Sequence, residues 1–111
     1  MPGAPSFIVG IHTTEASVGE NARIEGRVEG ADRVNWSRDG EELVSGIFAP
    51  SGAQKYVFEY RAEDGYCALV VVEVEEHDQG TYVAEASNAA GAARSEAFLS
   101  LPGTLLVFNL K

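Results

Sequence analysis

From Thr81 to Ser87 the chain alternates without a break. Tyr82, Ala84 and Ala86 fall on one parity, and Thr81, Val83, Glu85 and Ser87 on the other. Successive side chains of an extended chain point to opposite faces, so the pattern puts one face in a core and the other toward water. Before this stretch stands Asp78-Gln79-Gly80, a sharp corner; after it comes Asn88-Ala89-Ala90-Gly91. Asn and Gly tolerate the positive φ that a tight hairpin loop demands. The segment therefore reads as corner, half-buried strand and hairpin, a combination that requires antiparallel neighbours.

The same period runs through the rest of the chain. Ala22, Ile24, Gly26 and Val28 alternate with Arg23, Glu25, Arg27 and Glu29, which gives an inward row and an exposed row of opposite-sign neighbours. Val34 to Gly40 carries Trp36 and ends in Asp39-Gly40, a hairpin signal. Glu41 to Ser45 continues as a short strand, and the residues from Gly46 to Gln54 form a loop with Pro50 and Gly52. Lys55 to Arg61 and Tyr66 to Val72 read as strands on either side of a Glu63-Asp64-Gly65 turn, with Val74 plugging the bottom of the core. Ala92 to Leu101 is the last strand of the unit. At the start, Ala4 to Val9 is a strand entered through Pro5, broken near Gly10 and resumed from His12 to Ala16. Eight or nine short strands, regular turn signals and no helical period specify an all-β antiparallel sandwich.

Composition bounds the function. Of 111 residues 45% are apolar, enough for a proper core and against disorder. Seventeen acidic against 8 basic residues give a net charge of −9. That argues against nucleic acid and against an anionic membrane surface, both of which want a basic patch. The lone Cys67 has no intramolecular partner, which favours a reducing compartment. Residues 1–6 lack the basic start and apolar stretch of a signal peptide, and no run approaches the ~20 apolar residues of a membrane span. A cytoplasmic, soluble chain is the expectation.

Four elements together carry a resemblance: Trp36 in Trp36-Ser37-Arg38-Asp39-Gly40, Leu69-Val70-Val71, Asp78-Gln79-Gly80-Thr81-Tyr82, and Asn88-Ala89-Ala90-Gly91. Over roughly residues 4–101 the chain resembles the I-set immunoglobulin domains of giant muscle and cytoskeletal proteins such as titin, obscurin, myomesin and twitchin. The resemblance implies an immunoglobulin-like sandwich of two antiparallel sheets with Greek-key connections. It also implies a core tryptophan at Trp36 and a tyrosine corner in which the Tyr82 hydroxyl bonds back to nearby backbone. Trp36, Leu69, Val71, Asp78, Gly80 and Tyr82 are then structural. Residues 1–101 form the domain and 102–111 an apolar C-terminal extension or linker.

The family expects a cysteine pair at Gly26 and Ala84, and both are vacated together. Such a bridge contributes about 2–4 kcal/mol, so the expected domain is modestly stable. Without it Trp36 sits against glycine and alanine, and either neighbours shift in or a small void is left.

No residue pattern suggests an enzyme or a cofactor. No base stands beside a nucleophile, and there is no glycine-rich phosphate loop. His12 and His77 lack a second ligand at metal spacing, and Glu73, Glu75, Glu76 and Asp78 around His77 read as a solvated acidic corner. Cys67 shares the parity of Leu69 and Val71 and reads as a small buried hydrophobe. Asn35-Trp36-Ser37 matches a glycosylation sequon but lies within a central strand.

Apolar residues on faces that should be wet are the candidates for binding. Ala68, Val70 and Val72 make one outer face greasy, and Val83 and Phe98 stand on the outer faces of neighbouring strands. They are either scattered exposed residues or a docking patch. Beyond Pro102-Gly103, the run Leu105, Leu106, Val107 and Phe108 is β-prone. It is either a linker to a following domain or a strand that pairs with an open sheet edge. The resemblance implies a non-enzymatic scaffold module of the sarcomere or cytoskeleton. Its partners would be other proteins: another immunoglobulin domain, an extended peptide, or a second copy through the extension. The rival is an extracellular adhesion or receptor domain, glycosylated at Asn35 and dimerised through Cys67.

Overall fold

A computed structural model describes residues 3–101. Eight strands follow one another: β1 Ser6–Thr13, β2 Ala22–Glu29, β3 Arg33–Arg38, β4 Glu41–Glu42, β5 Tyr56–Tyr60, β6 Tyr66–Val71, β7 Gly80–Asn88 and β8 Gly91–Leu99. They form two four-stranded antiparallel sheets, ordered β1-β2-β6-β5 and β4-β3-β7-β8. The chain is an all-β sandwich.

The alternation of β2 is seen in its burial. Ala22, Ile24, Gly26 and Val28 are buried, while the charged residues between them are half-buried or exposed. β6 pairs with it so that Leu69 lies opposite Ile24 and Cys67 opposite Gly26. On the second sheet Trp36 lies opposite Ala84. Ile24, Val28, Trp36, Leu69, Val71, Tyr82 and Leu99 meet in one core between the sheets, closed at one end by Val74 and Leu101.

Most strands lie within two residues of the sequence reading, and two differ more. β1 is continuous from Ser6 to Thr13; the break near Gly10 lies in its pairing, with register shifts between Phe7 and Val9 and between Val9 and His12. An extra residue in one strand bends it without ending it, and the bend turns β1 toward β8, where Ser95 Oγ accepts the Ile11 N–H at 2.9 Å. β4 is only Glu41–Glu42, because the chain leaves the sheet after Leu43 N–H donates to Trp36 O. Leu43 then packs against the core while Val44 and Ser45 stay exposed.

Candidate functional site

The corner before β7 is built around a buried charge. A 3₁₀ turn, Glu76–Asp78, carries Asp78 into the sandwich, where its side chain is 1% exposed. Its Oδ2 accepts from Lys55 Nζ at 2.7 Å and from Glu75 N–H at 2.7 Å. Lys55 Nζ uses its other two donors on Val72 O at 2.9 Å and Glu73 O at 3.2 Å. With all three N–H groups bonded, the ammonium can be buried next to its counter-ion. Asp78 Oδ1 faces Arg38 Nη1 at 3.5 Å. The Tyr82 hydroxyl donates to Asp78 O at 2.6 Å, the backbone bond expected of a tyrosine corner. Burial pushes the Tyr82 hydroxyl up to about 12. Gly80 turns the chain against Asp39: a Cβ there would come 2.5 Å from Asp39 Oδ2, and Asp39 Oδ1 accepts from Thr81 N–H at 2.9 Å.

Asp78 is thus the exception in the acidic corner; Glu76 and His77 are exposed, but Asp78 is not solvated. The burial of Lys55 was not read from the sequence. Its parity matches outward Val57 and Glu59, and only the nearness of Asp78 in the fold turns it inward.

The two vacated bridge positions are closed in different ways. At Gly26, β1 has moved in: an added Cβ would lie 2.8 Å from Val9 O and 3.1 Å from both Cα and Cγ2 of Ile11. At Ala84, Trp36 lies directly across the ladder. Cys67 is fully buried beside Gly26, and burial raises its thiol pKa. A thiol with no exposure cannot link two folded copies. Asn35 is exposed on the outer side of β3.

Of the proposed docking residues, Phe98 is 62% exposed but Val83 only 7%. Val83 therefore does not form an exposed patch with Phe98. It sits on an interior strand, directly between Ser37 and Glu96. Phe98 is opposite Thr81 and only diagonal to Val83. Leu105, Leu106, Val107 and Phe108 lie outside the described residues.

The outer face of β6 is less greasy than its sequence suggests. Ala68 lies between Glu25 and Glu59 and is fully buried. Above it Arg23 Nη1 donates to Tyr66 Oη at 2.7 Å and Glu59 Oε1 at 3.1 Å, and Tyr66 Oη donates to Glu25 Oε1 at 2.6 Å. The guanidinium of Arg61 stacks 4.7 Å from the centre of the Tyr66 ring. Val70 and Val72 are half-buried.

Exposed apolar side chains concentrate elsewhere. Among the described residues, five of the nine large exposed ones fall between positions 44 and 58: Val44, Ile47, Phe48, Val57 and Phe58. Val57 and Phe58 belong to β5, Ile47 and Phe48 to the segment bonded to its start, and Val44 and Phe58 line a groove of about 350 Å³ with Val34, Trp36 and Leu43. The sequence shows these residues as apolar, but not that β5 ends a sheet.

Comparison with known proteins agrees with this architecture. The Immunoglobulin I-set domain family matches residues 5–101. The titin homolog of Caenorhabditis elegans is 29% identical over 103 residues, which is 91% of this chain and a share of that protein that rounds to 0%. The chain spans no more than 5% of the length of the curated relatives it matches. Among solved structures, titin M4 superposes with a TM-score of 0.77 at 23% identity, covering 91% of this chain and 98% of that one. A complex of titin M10 with an obscurin-like 1 immunoglobulin domain gives 0.76 at 22% identity, covering 91% and 95%. A buried tryptophan, a tyrosine corner and two four-stranded sheets are what this family builds, and the chain belongs to the immunoglobulin I-set family.

Proposed function

We propose that the chain is a non-enzymatic structural module of a sarcomeric or cytoskeletal scaffold, holding other proteins through an open sheet edge or an exposed sheet face. The observation that carries this reading is an I-set sandwich whose polar machinery is turned inward and whose exposed apolar residues lie at its edges. Asp78, Lys55 and the Tyr82 hydroxyl are spent on one another and on backbone. Phe98 stands exposed at the end of β8. Residues 1–101 act as the module, and residues 102–111 extend from it, with Leu105, Leu106, Val107 and Phe108 as a second docking element. Relatives in muscle proteins and a solved pairing of two immunoglobulin domains support the same direction. The test is to express the chain fused to a fluorescent protein in cultured muscle cells. Striated localisation is expected; uniform fluorescence that washes out on permeabilisation would overturn the reading.

A further inference from the structure

A sandwich of two sheets has four edge strands, each a row of unpaired backbone groups unless something protects it. Three of the four are protected here. β1 is entered through Pro5, carries two register shifts and bends onto β8. β8 is covered in part by that contact and carries exposed Arg94 and Glu96. β4 is two residues long, and both are exposed glutamates. β5 is the least protected: its one exposed charge, Glu59, is engaged with Arg23, and the preceding segment reaches only its start, where Ile47 O accepts from Lys55 N–H. It pairs in unbroken register with β6, contains no proline and shows Val57 at 42% and Phe58 at 38% exposure. The lysine beside it, the residue type that most often guards an edge, is Lys55, which is buried against Asp78.

The backbone polarity of this edge follows from its ladder. Lys55 O accepts from Val72 N–H, and Arg61 N–H donates to Tyr66 O, so between them Val57 and Glu59 point their backbone groups at β6; only Lys55 N–H turns away, to Ile47 O. In an antiparallel strand those groups alternate sides. Tyr56, Phe58 and Tyr60 therefore direct theirs outward. The inward side-chain row Ile24, Leu69 and Phe58 is ready to be extended by one more apolar residue. Glu41 and Glu42, which precede the groove-lining Leu43 in the chain, are exposed, and the chain as a whole carries −9.

We propose that β5 is a docking edge for an extended segment of another protein, apolar at alternate positions and basic at its flanks. The segment adds as a fifth strand and bonds to the backbone of Tyr56, Phe58 and Tyr60. Its apolar side chains continue the row from Phe58 into the groove over Leu43, and its basic flanks face a body of net charge −9, with Glu41 and Glu42 within reach of one of them. A second copy of this chain is the poorer occupant, because two bodies of −9 repel. This inference rests on the scaffold-module reading and narrows it to one edge.

The probe is a synthetic peptide of about eight residues, a typical strand length, alternating Thr and Val between terminal arginines. Residue-resolved amide exchange is measured on the full chain with and without it. Protection of the Phe58 amide and its neighbours on β5 is expected. Val57→Lys should weaken binding about tenfold; Val57 points outward at the edge, so the melting temperature serves as a control for folding. A probe N-methylated on the edge-facing amides should not bind, and one with terminal glutamates should bind more weakly. Protection confined to the Phe98 face would overturn the edge assignment and leave the scaffold reading standing. Equal binding by the N-methylated or glutamate probe, no protection anywhere, or a dimer of the chain alone through β5 would each overturn the proposal.

Discussion

The Asp78 corner and the Gly26 seam are both places where two sheets must be held together without a covalent bond, and they do it by opposite means. At the corner a carboxylate, an ammonium and a hydroxyl are buried, and the Lys55 donors and Asp78 Oδ2 are satisfied by each other, 23 residues apart, and by the backbone of Val72, Glu73 and Glu75. At the seam there is no polar side chain at all, only the backbone of β1 and the Ile11 side chain pressed into the space a side chain would occupy. A polar latch depends on its bonded atoms keeping their partners (here Asp78 Oδ1 and Arg38 Nη1 face each other at 3.5 Å without a hydrogen bond), whereas an apolar seam depends on volume. The first should therefore fail by deletion and the second by addition.

The largest effect is expected from Asp78→Ala. It leaves the Lys55 ammonium buried with two carbonyls and no counter-ion, and should cost about 3–5 kcal/mol in chemical denaturation. If the loss were under about 1 kcal/mol, the corner would be no latch. Next comes Gly26→Ala, the smallest possible addition at the seam. The nearest obstacles are Val9 O and the Ile11 backbone, which cannot swing away as a flexible side chain could. Overpacking of this kind costs about 1–3 kcal/mol, and β1 amides should lose exchange protection first. A neutral or stabilising Gly26→Ala would mean that the seam is loose. The smallest effect is Tyr82→Phe, which removes the bond to Asp78 O for about 0.5–1.5 kcal/mol near neutral pH.

Tyr82 also sharpens the comparison through pH. Its hydroxyl is raised from 10.0 to about 12, chiefly by burial, so the folded chain keeps a proton that the unfolded chain gives up. The stability this represents is fully present below pH 10 and is lost as pH rises through 12. Denaturation midpoints followed upward from neutral pH should fall more steeply for the parent chain than for Tyr82→Phe. Parallel curves would show that the hydroxyl titrates as freely as in the unfolded chain.

Period-two alternation made β2 and β7 legible residue by residue, because face is a local property of an extended chain. Coverage is not. Val83 has outward parity and is nevertheless buried, flanked by Ser37 from distant β3 and by Glu96 across the hairpin from β8. Ala68 is sealed by Arg23, Glu25, Glu59 and Tyr66, which only the sheet order brings together. The loss of the cysteine pair could be read from Gly26 and Ala84, but the strand that fills the first position could not. Edge status was equally hidden: Tyr56-Val57-Phe58 looks like any half-buried strand until β5 is known to have a neighbour on one side only. What escaped the sequence was in each case a relation between elements.

The inward turn of Lys55 reaches beyond the corner it stabilises. The chain has two lysines; Lys111 lies outside the described residues, and Lys55 is 4% exposed. Across residues 3–101 the exposed positive charge is therefore borne by arginine alone. Chemistry that seeks side-chain amines, from acetyl transfer to succinimide cross-linking, finds no target on the surface of this folded body. Where such a reagent does mark Lys55, it records that the corner had opened.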